Sequence, residues 1–243
     1  MLATRAFDPY ALPPRYQGQV VGSTWRPPVG FTEKVVALTF DDGPHKTNTE
    51  PVLRALKEEN VPATMFLVGQ NVNLYRKLVD KERALGLELA NHTYTHSSWP
   101  SPFIAAPEVL LTESALNLIQ SPHSRLFRPP YGQANASTSL FAQSLCMASV
   151  LWTNDSHDWE LSNPTQMVQS VVGSMRPGDI VLMHDNRPVT PQGVRPIIWA
   201  YRRAGYQFLT VTQMLWRWDS FLNAATQPKV KVDSTTTNTS TAQ

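Results

Sequence analysis

The stretch Val35-Val36-Ala37-Leu38-Thr39-Phe40-Asp41-Asp42-Gly43-Pro44 opens as an apolar, β-branched run and turns acidic at its end. A short, nearly continuous apolar run fits a strand buried on both faces, the usual state in a parallel sheet covered by helices. Fifty residues after Asp42, a second apolar segment, Leu87 to Asn91, ends in His92-Thr93-Tyr94-Thr95-His96. Two acids before Gly-Pro can simply be a turn with capping side chains. Two histidines four apart can be solvated loop residues. Together, each group closing a separate strand, they supply one carboxylate and two imidazoles. That is a ligand set of a catalytic zinc with a position left for water. The remaining carboxylate is then a candidate base, and metal-assisted hydrolysis is the leading expectation.

Along the rest of the chain, short apolar runs alternate with helical patterns. Strands are expected at Val35 to Phe40, Ala63 to Val68, Leu87 to Asn91, Leu126 to Arg128, Ala148 to Thr153, Ile180 to His184 and Gln207 to Val211. Helical spacing is expected at Glu50 to Asn60, Leu74 to Ala84, Pro107 to Gln120, Ser137 to Leu145, Thr165 to Met175, Gln192 to Ala204 and Gln213 to Phe221. About seven such βα units predict an α/β fold, a distorted or incomplete (β/α) barrel. In barrels of this kind the chemistry sits at the C-terminal ends of the strands. Asp41, Asp42, His92, Arg128, Asp155 and His184 all fall at or just past such ends.

Three segments are expected: an irregular arm rich in Pro, Gly and aromatics at 1–31, a catalytic domain at 32–224, and a polar, disordered tail at 225–243. With 243 residues, 42% hydrophobic and 16% charged, the chain has ample material for a core. A net charge of +2 and scattered basic residues give no nucleic-acid patch. No apolar run of the roughly 18 residues a spanning helix needs is present. The first residues lack the pattern of a signal peptide, which leaves two placements open: inside the cell, or secreted or in the cell envelope after removal of a leader. The single cysteine, Cys146, excludes an internal disulfide and is expected to pack as a small apolar residue. A monomer is expected.

Three further clusters carry chemistry. In Phe127-Arg128-Pro129-Pro130-Tyr131-Gly132, the prolines fix a rigid turn that can aim a backbone N–H at a reacting oxygen, and Arg128 can hold a catalytic carboxylate. In Asp155-Ser156-His157-Asp158-Trp159, Asp158 can polarise an imidazole and Trp159 can wall a pocket or stack on a sugar. The strand Ile180 to His184 ends in a histidine that, paired with Asp158, would be a general acid with a raised pKa. Each also has a plain structural reading as a turn, a cap or core packing.

In order and in form, these five motifs resemble the polysaccharide deacetylase family, the NodB-like carbohydrate esterases of family four. Its T-F-D-D-G-P motif stands at Thr39 to Pro44, and H-[ST]-x-x-[HS] at His92 to His96. R-x-P-[YF]-G stands at Arg128 to Gly132, D-x-x-D-W at Asp155 to Trp159, and L-x-H at Leu182 to His184. The resemblance implies hydrolysis of an acetamide or acetyl ester on a sugar. It makes Asp42, His92 and His96 the metal ligands, Asp41 the base and His184 the acid. Arg128 would orient Asp41, Asp158 would orient His184, and the backbone N–H of Tyr131 would help hold the oxyanion. Trp159 and Leu182 would line the acetate pocket, with Pro130 also against the substrate. One divalent ion is implied, zinc first, with cobalt, nickel or manganese as other occupants. The expected partner is an acetylated polysaccharide or oligosaccharide, with N-acetylglucosamine polymers of the peptidoglycan or chitin type ahead of acetylated xylan. A non-catalytic glycan-binding relative, an amidase for small amides and an adhesion module are the competing readings. Trp99, Phe103 and Arg187 are candidate subsite contacts, and Tyr10, Tyr16 and Trp25 are expected to cover the barrel bottom or one rim.

Overall fold

The run quoted first becomes β2 (Val35–Gly43), the strand on which the sheet is built. The structure, a computed structural model, describes residues 8, 10–22, 27–98, 102–119 and 123–226. Among these, the strands are β1 (Val20–Val21), β2, β3 (Thr64–Leu67), β4 (Glu88–Asn91), β5 (Leu126–Phe127), β6 (Ala148–Val150), β7 (Asn154–Asp155), β8 (Asp179–His184) and β9 (Gln207–Leu209). The helices are α1 (Thr49–Glu59), α2 (Gly69–Leu74), α3 (Arg76–Ala84), α4 (Pro102–Leu118), α5 (Ala136–Ser144), α6 (Pro164–Gly173), α7 (Thr190–Arg203) and α8 (Val211–Thr226). All pairings are parallel, in the order β1-β6-β5-β4-β3-β2-β8-β7. β2 meets β8 along one edge, and β9 and then β3 along the other. With β1 and β7 at the two ends of this order, the sheet curls into an open, distorted (β/α) barrel.

The two-residue period of a strand sorts β2 into two rows. Val36, Leu38 and Phe40 face outward and join Leu53 and Leu56 of α1, Val171 of α6 and Ile197 and Ile198 of α7 in one core. Val35 and Ala37 face inward with Phe66, Ala90, Leu126, Val150 and Ile180. Full burial of each Val, Leu, Ile or Phe side chain among them is worth roughly 1.5–3 kcal/mol. Thr39 and Asp41 continue the inner row, so the chemistry begins where the apolar filling stops. At the opposite, Val35 end, Met214, Leu215 and Trp218 of α8 and Leu12 and Tyr16 of the arm close the interior. The buried Tyr16 ring meets Trp218 edge-on at 6.5 Å. Tyr16 therefore covers the barrel bottom, one of the two placements expected for the arm aromatics.

Several boundaries differ from the sequence reading. Within the arm expected to be irregular, Val20 and Val21 pair with Ser149 and Val150 as an edge strand. The amphipathic segment at Leu74 to Ala84 breaks at Tyr75 (ψ 43°), and a helical turn precedes it from Gly69. Pro107 lies inside α4 rather than at its start. The strand expected at Ala148 to Thr153 forms only as β6 and stops at Val150, and a separate strand, β7, follows at Asn154 on a different neighbour, β8. α8 runs past Phe221 to Thr226, so residues 225 and 226 are helical; the rest of the expected tail, 227–243, lies outside the described residues. Cys146 is exposed in a left-handed turn (φ 54°), not packed as an apolar residue. No helix among the described residues is long and apolar enough to cross a membrane.

Candidate active site

In a regular strand, Asp41 and Asp42 would point to opposite faces. The pairing of β2 with β3 slips at this point: Asp41 lies opposite Phe66 and Gly43 opposite Leu67, so Asp42 is the extra residue of a bulge. Its backbone is left-handed, φ 71°, a strained state for a residue with a side chain. The surroundings hold it there. Asn71 Nδ2 donates to the Asp42 carbonyl at 2.9 Å, and Asn186 Nδ2 donates to Asp42 Oδ2 at 3.0 Å. The bulge turns both carboxylates toward one cup, where His92 Nε2 lies 3.7 Å from Asp41 Oδ2 and 3.4 Å from Asp42 Oδ1. The next residue must be glycine for lack of room: a Cβ on Gly43 would sit 2.5 Å from Asp185 Oδ2.

Asp42, His92 and His96 form a group whose ligand atoms all lie within 4.8 Å of one another. His92 Nδ1 is 2.7 Å from the carbonyl oxygen of Arg128. A carbonyl only accepts, so Nδ1 carries the proton, and the lone pair of the neutral ring is at Nε2. That lone pair faces Asp42 Oδ1, an oxygen without a hydrogen-bond donor among the described residues. His96 Nε2 approaches the same oxygen at 3.1 Å. Burial and the neighbouring His92 lower the pKa of His96, favouring its neutral form. Burial opposes ionisation of Asp42, but the imidazoles of His92, His184 and His96 outweigh it and hold the carboxyl well below its usual range. An acceptor oxygen without a donor, facing the His92 lone pair and 3.1 Å from His96 Nε2, suits a cation, and the donor set fits a divalent metal ion.

Two further pairs flank this group. Arg128, fully buried, donates from Nη1 to Asp41 Oδ1 at 2.6 Å and to Thr39 Oγ1 at 2.8 Å. Its other nitrogens bond to the Val150 and Leu151 carbonyls, and Phe66 lies under the guanidinium at 4.1 Å. His184, the last residue of β8, is paired through Nδ1 with Asp158 Oδ1 at 2.7 Å. Asp158 Oδ2 also receives the His184 backbone N–H and the Thr190 hydroxyl, both at 2.6 Å. Burial disfavours the charged imidazole, but the bond and charge of Asp158, followed by the charges of Asp41 and Asp42, raise His184 to about 9.

The remaining expected positions take their places around this centre. Tyr131 lies in the turn Pro130–Gly132 with φ 58°, its ring 4.9 Å from that of His96. Pro130 and Leu182 are buried, and Trp159 is 48% exposed beside His157. Arg187 is partly buried and donates its N–H to the His184 carbonyl. Trp25, Trp99 and the side chain of Phe103 lie outside the described residues. His45, His123 and His157, given no catalytic role, bond locally to Thr49, Glu113 and Glu160. Sequence reasoning missed Asn71 and Glu108, the latter of which accepts the backbone N–H groups of Tyr94 and Thr95; it placed the segment from Asn186 to Pro191 beside the cleft without giving Asn186 a role. The signal for Asn186 is its place two residues after His184; Asn71 and Glu108 are joined to the site only by folding.

The sequence profile described as "Polysaccharide deacetylase" matches residues 29–150. A peptidoglycan-N-acetylglucosamine deacetylase of Bacillus cereus is 34% identical over 200 residues, covering 79% of this chain and 92% of that protein. A bifunctional xylanase/deacetylase of Pseudobutyrivibrio xylanivorans is 36% identical over 188 residues, covering 75% of this chain. The chain spans only 30–40% of the length of that protein and of several other curated relatives. The solved structure of the peptidoglycan deacetylase PdaC from Bacillus subtilis superimposes with a TM-score of 0.73 at 30% identity, covering 79% of this chain and 95% of that one. The motifs, the fold and these matches agree: the chain belongs to the polysaccharide deacetylase family.

Proposed function

We propose that this chain is a metal-dependent hydrolase that removes acetyl groups from N-acetylglucosamine residues of a polysaccharide or oligosaccharide of the peptidoglycan or chitin type. The observation that carries the reading is the convergence of Asp42, His92 and His96 between two charged pairs, Asp41–Arg128 and Asp158–His184. The relatives named as peptidoglycan-N-acetylglucosamine deacetylases support the substrate class. Asp42, His92 and His96 would hold the ion, zinc being the first choice for a carboxylate and two imidazoles. When bound, such an ion supplies Lewis acidity toward the acetyl carbonyl and lowers the pKa of water.

The chain's own groups do the rest. Arg128 occupies Asp41 Oδ1 and leaves Oδ2 on the side of the cup, so Asp41 takes the proton of the attacking water. The N–H of Tyr131 donates to the oxyanion, a contact worth about 3–4 kcal/mol when well placed. His184, protonated and held by Asp158, gives its Nε2 proton to the sugar nitrogen as the carbon–nitrogen bond breaks. Acetate and a free amine are the products. Trp159, Leu182 and Pro130 border the acetyl group.

Mass spectrometry of N-acetylglucosamine oligomers, peptidoglycan and acetylated xylan incubated with the zinc-loaded protein tests the substrate class. Loss of acetyl from either of the first two supports the proposal. Loss from xylan alone would replace it with O-deacetylation. No loss from any of them would overturn it.

A further inference from the structure

Between the two histidines the chain makes a turn with left-handed backbone at Thr93 (φ 68°) and at His96 (φ 59°). Neither residue is glycine, so the turn persists only where its surroundings over-determine it. On one side, the Thr93 and Tyr94 carbonyls accept from the N–H groups of Gly69 and Gln70 at 2.9 and 3.0 Å. On the other side stands one carboxylate, that of Glu108 on α4. Its Oε2 accepts from the N–H groups of Tyr94 at 3.0 Å and Thr95 at 2.7 Å, and its Oε1 from the Thr95 hydroxyl at 3.0 Å. α4 is in turn tied to the strand that carries His92, because Asn91 Nδ2 donates to the Val109 carbonyl at 3.0 Å and to Glu113 Oε1 at 2.8 Å.

We infer that Glu108 is a positioning residue of the metal site: its carboxylate clamps the turn between His92 and His96 and so sets the affinity for the ion. The inference rests on Asp42, His92 and His96 being the ligands. His92 has its own anchor in the Arg128 carbonyl. His96 ends the clamped turn, and its ring reaches Asp42 Oδ1 only while that turn keeps its shape. A carboxylate suits the task because two adjacent N–H groups converge on one oxygen, a charge-assisted arrangement stronger than neutral bonds.

The test is zinc titration by calorimetry of the full chain and of two variants, with the melting temperature of each zinc-free protein. Glu108→Ala is expected to weaken zinc binding about 10–100-fold, the usual cost of losing support behind a metal ligand. Glu108→Gln keeps a carbonyl for the two N–H groups and is expected to recover most of the affinity. Should the Ala variant lose its zinc-free fold, the Gln variant decides. Wild-type affinity in the Ala variant would overturn the inference, as would a folded Gln variant no tighter than Ala. Failure of the wild-type chain to bind zinc would instead overturn the proposed function, and zinc binding without acetate release would leave the clamp standing and remove the activity.

Discussion

Arg128, with no surface exposed, donates to Asp41 Oδ1 at 2.6 Å from a position 87 residues away in sequence. Four of its contacts are hydrogen bonds in a fixed fan, two of them to carbonyls of the strand end that follows. A lysine has neither the plane nor the number of donors to reproduce this. Arg128→Met would leave the buried Asp41 charge without a partner and is expected to cost about 3–5 kcal/mol of stability. Arg128→Lys should cost less stability and still lose most turnover, because Asp41 Oδ2 is no longer aimed. Chemical denaturation beside acetate-release kinetics separates the two effects.

With His184 as the acid of the proposed reaction, the alkaline limit is expected to be its own. Its pKa of about 9 leaves it protonated at neutral pH, so turnover should fall as pH rises through about 9. Asp158→Asn removes the main support for the charged ring and should move that decline toward neutral pH. Stability follows the same sign. The folded value lies above the unfolded one, near 6.5, so the stabilisation is full below about 6.5 and lost as pH rises through about 9. Urea unfolding across this range should show the wild-type chain and Asp158→Asn converging at the alkaline end.

An amide needs its leaving nitrogen protonated far more than an activated ester needs its leaving oxygen protonated. His184→Ala is therefore expected to damage acetamide cleavage on N-acetylglucosamine oligomers well beyond its effect on an aryl acetate. Equal losses on the two substrates would remove His184 from the acid role.

Glu82, on α3, is buried, and neither carboxylate oxygen has a hydrogen-bond donor among the described residues. Burial, and after it the charge of Asp185, raises its pKa well above the ordinary value. For an acid raised in this way, the folded state is least penalised below the unfolded value of about 4.5 and loses stability as pH climbs from there toward the folded value. Glu82→Met should therefore stabilise the chain at pH 7 by about 1–3 kcal/mol, with a smaller gain near pH 4. Denaturant midpoints at the two pH values check it.

What was legible in the sequence is what a strand makes local. The apolar run before Asp41 and the short one before His92 fixed where two strands end, and strand ends in a (β/α) barrel share one rim. Asp41, Asp42, His92, His96, Arg128, Asp158 and His184 thus came to one place for a reason readable along the chain. The bulge at Asp42 was not readable: the pattern shows two adjacent acids, and only the slip between β2 and β3 turns both to the same face. Asn71 and Glu108 escaped because each meets the site only through folding, Asn71 from α2 onto the β2 bulge and Glu108 from α4 onto the turn between the histidines. Edge strand β1 was missed because two valines are too short a run to show a period. Pro107 misled because proline favours a first turn, yet α4 begins five residues earlier.

In the proposed reaction Asp42, His92 and His96 hold a metal ion on which acetyl removal depends, while Asp41 works beside it as base. Zinc titration of the chelator-stripped chain, with acetate release from N-acetylglucosamine oligomers followed in parallel, tests it most directly in wild type, Asp42→Ala and Asp41→Asn. One zinc per chain and restored release are expected in wild type. Asp42→Ala should show neither, and Asp41→Asn should bind zinc with almost no release. Zinc lost from Asp41→Asn but kept by Asp42→Ala would contradict the assignment of the two carboxylates, and full release without any metal would contradict the account as a whole.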